Sequence, residues 1–232
     1  NLRDLQKRVL EVGADIGLAF DGDADRCFVV DEKGGIVDPS TLTALIATRE
    51  LVKAPGSTII HNLITSRAVP EIVIENGGIP VRTRVGHSFI KATMAETGAI
   101  FGGEHSGHFY FRDFWKADSG MLAAMHALAA LGETPESITL SELLKPYLRY
   151  VMSGEINTKV EDVKAVIARI KETAIVQGSQ LDELDGLTVS GEGWWFNVRP
   201  SNTEPLLRLN VEAKDVAYME IVRDSVLAMM VG

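Results

Sequence analysis

The sequence of 232 residues contains a single cysteine, Cys27, so no disulfide can form within the chain. Small secreted proteins that depend on a disulfide framework are therefore excluded as a class. A chain of this length, 46% hydrophobic, can bury a substantial core without crosslinks. We expect a reducing environment, and the cytoplasm in particular.

Long apolar runs and an excess of positive charge are also missing. The apolar stretches, of which residues 121–131 are typical, are shorter than the roughly 20 residues that a membrane-spanning helix needs. The formal net charge is −9, which disfavours a general attraction to nucleic acid or to anionic lipid. We therefore expect neither a membrane nor a nucleic acid as partner, and an anionic ligand would need a local basic cluster.

Helix and strand patterns alternate through the first two thirds of the chain, which indicates an α/β layer with a parallel core. Glycine and proline at 132–135 and Pro146 then favour a domain boundary near residue 147. The predicted elements are a helix at 2–12, strands at 16–20 and 27–30, a helix at 39–52 capped by Pro39 and Ser40, strands at 58–63, 79–84 and 99–101, and helices starting near Ser66 and at an N-cap on Ser88.

The last third has a different order of elements, which predicts an α+β arrangement with a largely antiparallel sheet. The predicted elements there are a strand at 150–157, a helix at 161–173, strands at 187–190, 194–198 and 206–212, and a helix that ends near residue 230.

Three aspartates alternate with small residues in the run Phe20-Asp-Gly-Asp-Ala-Asp-Arg26, directly after a predicted strand. Such a density of hard oxygen ligands suits Mg²⁺. Three close carboxylates repel one another unless a cation or hydrogen-bond donors compensate, so a solvated acidic turn is the weaker interpretation.

Two other functions compete for this aspartate loop. An EF-hand needs glycine at the sixth position, where Arg26 stands, and helices rather than strands on both sides. A haloacid-dehalogenase phosphatase would use Asp21 as nucleophile and Asp23 as acid/base, but that family expects Thr or Val in place of Asp25.

A second loop, Gly102-Gly-Glu-His-Ser-Gly-His108, combines glycines that let a ligand approach the backbone with carboxylate, hydroxyl and imidazole groups suited to sugar hydroxyls. A third, Arg199-Pro-Ser-Asn-Thr-Glu-Pro205, offers a fixed positive charge and polar groups for a phosphate. An ordinary polar hairpin turn explains the third loop about equally well. Gly86-His-Ser88, at a helix start, is a weaker anion or sugar site.

Taken in this order, Asp-Gly-Asp-Ala-Asp-Arg at 21–26, Gly-Glu-His-Ser-Gly-His at 103–108 and Arg-Pro-Ser-Asn-Thr-Glu-Pro at 199–205 resemble the bacterial phosphomannomutase/phosphoglucomutase group of the α-D-phosphohexomutase family. The resemblance covers the whole chain but only about the second half of a typical member. It implies the end of domain two with a metal-binding loop at 1–36, a mixed-sheet α/β domain three with a sugar-binding loop at 37–147, and an α+β domain four with a phosphate-binding loop at 148–232.

The resemblance also implies roles for individual residues. Mg²⁺ would be held by Asp21, Asp23 and Asp25. Catalytic roles would fall to Arg26, His108 and His87. Substrate contacts would come from Glu104, Ser106, His108, Arg199, Ser201, Asn202 and Thr203.

The implied activity moves phosphate between C1 and C6 of mannose or glucose through a bisphosphate, with glucose 1,6-bisphosphate as activator. The Ser-His-Asn-Pro run that carries the family's phosphoserine is absent, so we interpret the chain as truncated, inactive alone and dependent on the missing N-terminal domains of the same polypeptide. A lysine that some relatives carry before the helix near Ser66 is also absent. Histidine at 105, where glucosamine mutases often have glutamine, favours a hexose substrate. A phosphatase that uses Asp21 and a non-enzymatic module that binds metal or sugar phosphate remain alternatives.

Overall fold

The computed structural model describes residues 2–201, 204 and 206–231. The chain forms two compact units, Asn1–Leu148 and Arg149–Gly232, and each is described by itself. None of the helices within the described ranges combines the length and the apolar character that a membrane span needs.

The first unit combines two sheets with six helices among its described residues. Its elements are α1 (Arg3–Val12), β1 (Ile16–Phe20), β2 (Cys27–Asp31), β3 (Ile36–Val37), α2 (Pro39–Lys53), β4 (Thr58–Asn62), α3 (Ala68–Glu75), β5 (Ile79–Thr83), α4 (His87–Thr97), β6 (Phe101–Gly103), β7 (Phe109–Phe111), β8 (Ala117–Asp118), α5 (Gly120–Gly132), α6 (Leu140–Leu144) and a 3₁₀ turn (Lys145–Tyr147).

A small antiparallel sheet, in the order β1-β2-β3, forms the start of this unit. The β1–β2 register runs from Ile16 opposite Asp31 to Phe20 opposite Cys27. Residues 21–26 are therefore the connection between two paired strands, which holds both ends of the aspartate loop.

The larger sheet of the first unit has the order β5-β4-β6-β7-β8. Strand β4 is parallel to both β5 and β6, whereas β7 and β8 add in antiparallel fashion. The expected mixed α/β sheet is confirmed. Its central strands are buried apolar segments such as Ile59–Ile60, and α2, α3 and α4 pack against it.

The second unit is built on one antiparallel sheet, and the expected α+β arrangement is confirmed. The strand order is β10-β14-β13-β12-β11, with β9 also paired to β14. Its elements are β9 (Val151–Met152), β10 (Ile156–Lys159), α7 (Val163–Val176), β11 (Gln180–Asp182), β12 (Leu187–Gly191), β13 (Trp194–Pro200), β14 (Leu206–Ala213) and α8 (Val216–Val231). Helix and strand residues including Ile170, Leu187, Leu209 and Met230 form its buried core.

Three local predictions were wrong. Helix α2 is capped by Asp38, whose carboxylate accepts a hydrogen bond from the Ser40 backbone N–H at 2.7 Å, so Pro39 lies in the first turn. Helix α4 has Gly86 at its N-cap, and Ser88 lies inside the helix. The strand predicted at 150–157 is two strands, because Gly154 takes a left-handed φ of 70° between them.

Glu32, in the turn after β2, joins the small sheet to the start of α6. Its carboxylate accepts hydrogen bonds from the Ser141 hydroxyl at 2.5 Å and from the Ser141 N–H at 3.0 Å. Burial raises the pKa of Glu32, but these hydrogen bonds outweigh burial and lower the pKa from 4.5 to about 2. The ionised carboxylate therefore stabilises the first unit.

We predict that this stabilisation is present above pH 4.5 and is lost as the pH falls toward 2, because the folded-state pKa lies below the unfolded one. Its size is at most about 3 kcal/mol. Glu32→Gln should destabilise the first unit at pH 7 and flatten its acid sensitivity, as measured by hydrogen exchange of β4 amides at pH 7 and pH 3. Glu136→Gln, at an exposed position, is the matched control. Equal acid sensitivity in Glu32→Gln and parent would contradict the assignment.

Candidate functional site

The aspartate loop brings three carboxylates together in a tight turn. The Ala24 N–H donates to the Asp21 carbonyl at 3.2 Å, and Ala24 itself takes a positive φ of 60°. One carboxylate oxygen from each of Asp21, Asp23 and Asp25 lies within 4.8 Å of the others. The alternating spacing therefore does turn the three side chains toward one point.

Arg26 compensates one of these charges. Its Nε donates to Asp21 Oδ2 at 2.6 Å, and its backbone N–H donates to Oδ1 at 3.2 Å. Desolvation raises the pKa of Asp21, but the hydrogen bonds from Arg26 lower it further, so the pKa lies below its ordinary value. Asp21 is consequently ionised at neutral pH, and each of its oxygens accepts one hydrogen bond from Arg26.

Asp25 is compensated far less well. Its Oδ1 is buried and accepts no hydrogen bond from any described residue, and the nearby nitrogens, His108 Nδ1 and Arg26 Nε, lie at 3.6 and 3.8 Å. Burial raises the pKa of Asp25, and the charges of Asp21 and Asp23 add to this effect, although His108 opposes it. A buried oxygen without a donor, beside two further carboxylates, fits a hard divalent cation such as Mg²⁺.

Backbone hydrogen bonds hold the aspartate loop against helix α5 and against the second loop, residues 102–108, which we call the glycine-rich loop. Arg26 and His108 form an antiparallel bridge, and the Cys27 N–H donates to the Gly107 carbonyl at 3.1 Å. The Gly120 N–H, at the start of α5, donates to the Ala24 carbonyl at 3.1 Å. A Cβ at Gly120 would lie 2.4 Å from the Arg26 carbonyl oxygen, so only glycine allows this approach.

Glu104, in the glycine-rich loop, is 2% exposed and is surrounded by donors. Its Oε2 accepts from the Tyr110 hydroxyl at 2.8 Å, while Oε1 accepts from Asn62 Nδ2 at 3.3 Å and from the Gly86 N–H at 3.2 Å. Burial, followed by the neighbouring Glu104 charge, raises the pKa of Tyr110 well above its ordinary value, so the phenol remains a donor. Glu104, directly after β6, therefore joins the end of β4, the middle of β7 and the start of α4.

The glycines of this loop serve packing more than ligand access. A Cβ on Gly103 would lie 2.3 Å from Thr43 Oγ1 on α2, and one on Gly102 would lie 3.2 Å from the Ile90 side chain. These two glycines are therefore required for packing, and the expectation that they let a ligand approach the backbone stays a prediction. Ser106, by contrast, is exposed at the tip of the loop.

Nδ1 of His108 lies near two carboxylates, one of which the sequence did not indicate. Its Nδ1 is 2.9 Å from Asp118 Oδ2, and Asp118 Oδ1 in turn is 3.1 Å from Lys91 Nζ. Burial raises the pKa of Asp118, but the hydrogen bond from Lys91 and the charges of Lys91 and His108 lower it below its ordinary value. In the sequence, Asp118 is an acidic residue just before a helix and Lys91 is a basic residue within a helix. Neither pattern connects them to His108.

The other two histidines named from the sequence are placed differently. His87 is exposed at the first position of α4, directly after the glycine that donates to Glu104. His105 turns toward the start of α2, where its Nδ1 lies 3.5 Å from Ser40 Oγ and 3.8 Å from Asp38 Oδ2. His105 therefore has a local structural partner.

In the second unit, Arg199 and Arg208 are opposite one another on β13 and β14. Both contact one carboxylate, since Arg199 Nη2 donates to Glu155 at 2.8 Å and Arg208 Nη1 at 3.3 Å. Arg208 Nη2 also lies 3.4 Å from Ser201 Oγ. Asn202 and Thr203 lie outside the described residues. The sequence prediction missed Arg208 and Glu155, which only the strand register brings beside Arg199.

Family models match nearly the whole chain, in three consecutive parts. Residues 38–150 match "Phosphoglucomutase/phosphomannomutase, alpha/beta/alpha domain III", and residues 155–229 match the C-terminal domain of the same proteins. Residues 1–35 match their alpha/beta/alpha domain II.

Individual relatives agree with these matches. A phosphomannomutase of Methanocaldococcus jannaschii is 44% identical over 94% of this chain and 48% of its own length. A phosphomannomutase of Salmonella typhimurium is 42% identical over 98% of this chain and 50% of its own length. A crystal structure of a phosphoglucomutase/phosphomannomutase family protein from Burkholderia thailandensis aligns with a TM-score of 0.86 at 32% identity, over 99% of this chain and 49% of that one. The chain spans about half the length of the relatives it matches.

We predict that Gly120→Ala will weaken divalent-cation binding, because the added methyl group must push the start of α5 away from the aspartate loop. We expect a loss of about 10- to 100-fold in affinity, as for other residues that orient metal ligands. Titration of the chain with Mn²⁺, with Mg²⁺ as competitor, would measure it.

The control is Gly132→Ala, at the other end of the same helix, where an added Cβ meets nothing within 4 Å. Parent-like affinity in Gly120→Ala would show that α5 does not position the aspartates.

Proposed function

Because the chain belongs to the phosphoglucomutase/phosphomannomutase family, we propose that the polypeptide containing it interconverts the 1- and 6-phosphates of a hexose. The observation that carries this proposal is the pairing of Arg26 and Cys27 with Gly107 and His108, which joins an aspartate loop suited to a cation to a loop suited to a sugar. Curated relatives over 40% identical to the chain are named phosphomannomutase. Mannose or glucose phosphate is the proposed substrate, and the cytoplasm the proposed location.

In this proposal Asp21, Asp23 and Asp25 hold Mg²⁺. When bound, Mg²⁺ supplies positive charge that offsets the charge developing on a transferring phosphoryl group. Arg26 keeps Asp21 ionised and places its guanidinium at the edge of the same loop. Oδ1 of Asp25, which is buried and has no hydrogen-bond partner among the described residues, would gain the cation as a partner.

The sugar is held by the glycine-rich loop. Ser106 offers an exposed hydroxyl at the tip of that loop. Glu104 already accepts three hydrogen bonds from the protein, but two carboxylate oxygens offer about four acceptor positions, so one remains for a sugar hydroxyl. The three protein donors fix the direction of that acceptor.

The chemistry consists of two phosphoryl transfers. A hydroxyl oxygen of the hexose phosphate attacks the phosphorus of a phosphoserine, the bond from phosphorus to the serine oxygen breaks, and the serine oxygen takes up a proton. The proton of the attacking hydroxyl passes to a base, for which His108 Nε2 is the first candidate and His87 the second. After the bisphosphate turns over, the same steps in reverse return the other phosphate to serine, with glucose 1,6-bisphosphate as activator.

The phosphate that does not react would be bound in the second unit by Arg199 and Ser201, together with Asn202 and Thr203. Arg199 is 11% exposed and contacts Glu155, so an arriving phosphate would compete with that carboxylate. Arg208 shares Glu155 and would add a second positive charge.

A phosphatase that uses Asp21 as nucleophile is disfavoured by one observation. Although desolvation raises the pKa of Asp21, the hydrogen bonds from Arg26 lower this pKa further, which makes the carboxylate a weaker nucleophile. A binding module without catalysis would keep the same contacts and would differ only in turnover.

We predict that mutase activity requires the phosphoserine that lies outside this sequence. With mannose 1-phosphate, Mg²⁺ and a trace of glucose 1,6-bisphosphate, the 232-residue chain should be inactive, and a polypeptide extended N-terminally to the full family length should be active. Activity in the short chain would refute the assigned phosphate donor. Inactivity of both would favour a binding module.

We also predict that Arg199→Ala will weaken binding of a hexose phosphate by about 10- to 100-fold, since a hydrogen bond to a charged group contributes roughly 1.5–3 kcal/mol. Calorimetric titration of the extended polypeptide would measure this loss. Arg223→Ala is the matched control, because Arg223 likewise pairs with carboxylates but on helix α8. Parent-like affinity in Arg199→Ala would remove the third loop from the substrate site.

A further inference from the structure

We propose that Asp118, oriented by Lys91, is a positioning residue for His108: it accepts the Nδ1–H of the imidazole and so presents Nε2 to the reacting hydroxyl. This inference rests on the proposed function, because it deepens the role of His108 in proton transfer. It concerns a pair of residues that none of the three sequence motifs contains.

The distances assign the hydrogen bond of His108 to one of two carboxylates. Nδ1 lies 2.9 Å from Asp118 Oδ2, within hydrogen-bond reach, but 3.6 Å from Asp25 Oδ1, which is beyond it. A neutral imidazole carries one N–H, and a carboxylate accepts but does not donate. Nδ1 therefore carries the hydrogen, and Nε2 is left with its lone pair. Nε2 has no hydrogen-bond partner among the residues that the structure describes.

Asp118 is itself held in place. Its side chain is 8% exposed, and its second oxygen lies 3.1 Å from Lys91 Nζ. On the backbone side, Asp118 pairs with Tyr110 across β7 and β8, and the next N–H, of Ser119, donates to the Phe109 carbonyl at 2.9 Å. The carboxylate therefore has little freedom to follow a ring that rotates.

The backbone of His108 is fixed as well. His108 forms the bridge to Arg26, and its carbonyl accepts from the Glu104 N–H at 2.9 Å. Only the side-chain torsions of His108 remain, and the bond to Asp118 restrains them. The arrangement matches the general rule that a carboxylate sets the tautomer and orientation of a working histidine.

Asp118 also gives Nδ1 of His108 a hydrogen-bond acceptor other than the carboxylate assigned to the cation. Without Asp118, the nearest carboxylate oxygen to Nδ1 would be Oδ1 of Asp25, the same atom that has no donor and suits a metal ion. Two carboxylates near the same imidazole nitrogen thus have different roles, with Asp118 for the histidine and Asp25 for the cation.

A competing arrangement uses the same atoms differently. Asp25, His108 and Asp118 also offer ligand atoms within 4.8 Å of one another, so a metal could bind Nδ1 directly. In that case the hydrogen would reside on Nε2, and the histidine could not act as a base. The two arrangements predict opposite tautomers.

The first experiment determines the tautomer of His108 by long-range ¹H–¹⁵N correlation spectroscopy, in the ¹⁵N-histidine-labelled chain with and without Mg²⁺. The pH should lie about two units above the ordinary histidine pKa of about 6.5. We expect Nδ1–H in the parent and a partial or complete change in Asp118→Asn, whose amide can donate to Nδ1. Asp113→Asn, at an exposed carboxylate in the same segment, should leave the signals unchanged. An Nε2–H tautomer in the parent would overturn the proposal.

The second experiment measures kinetics in the extended polypeptide. Asp118→Asn should lower kcat by about 10- to 100-fold with little change in KM, because ring orientation affects the transition state more than substrate binding. Lys91→Met, which leaves the carboxylate in place, should cause a smaller loss of kcat and covers the case in which Asp118→Asn does not fold.

Failure of the proposed function and failure of the positioning role would give different results. An inactive extended parent would refute the proposed function, while the tautomer measurement would still decide whether Asp118 orients His108. A parent-like kcat in both variants, or a parent-like tautomer in Asp118→Asn, would overturn the positioning role.

Discussion

The antiparallel pairing of Arg26 and Cys27 with Gly107 and His108 is the contact on which the site depends. It joins two loops that are far apart in sequence through backbone hydrogen bonds, which do not depend on side-chain rotamers. Once this pairing forms, Asp25 and His108 must lie side by side, and Gly120 must be small enough for α5 to close over the loop. The strand pairing of the first unit thereby positions the residues of the candidate site.

The neighbouring carboxylates of the first unit have different partners and therefore different roles. Asp21 pairs with Arg26, Asp118 with His108 and Lys91, and Glu104 with neutral donors that include Tyr110. Asp25 is the exception, with a buried oxygen that no described donor reaches. Without these partners, mutual repulsion would protonate some of the carboxylates or displace them. Because Asp21, Asp118 and Glu104 are compensated, Asp25 is available for a cation.

In the second unit the neighbouring charges are positive, because two arginines lie close together. Register places Arg199 opposite Arg208, and Glu155 lies against both. The two arginines concentrate positive charge locally in a chain whose net charge is −9, and this is the property that the proposed phosphate site would need. The shared carboxylate of Glu155 orients both guanidinium groups.

The class of each unit, the three loops and the family could be predicted from the amino-acid sequence, because hydrophobic period, turn residues and ordered motifs are local properties. The sequence also indicated the three aspartates, which the turn at Ala24 brings to one point. It could not indicate Asp118, Lys91 or Arg208, since each becomes meaningful only beside a residue that is distant in sequence. Nor could it distinguish a glycine that admits a ligand from Gly103, which admits Thr43 of a packed helix. The roles of these residues depend on strand register and on helix packing, which are properties of the tertiary structure.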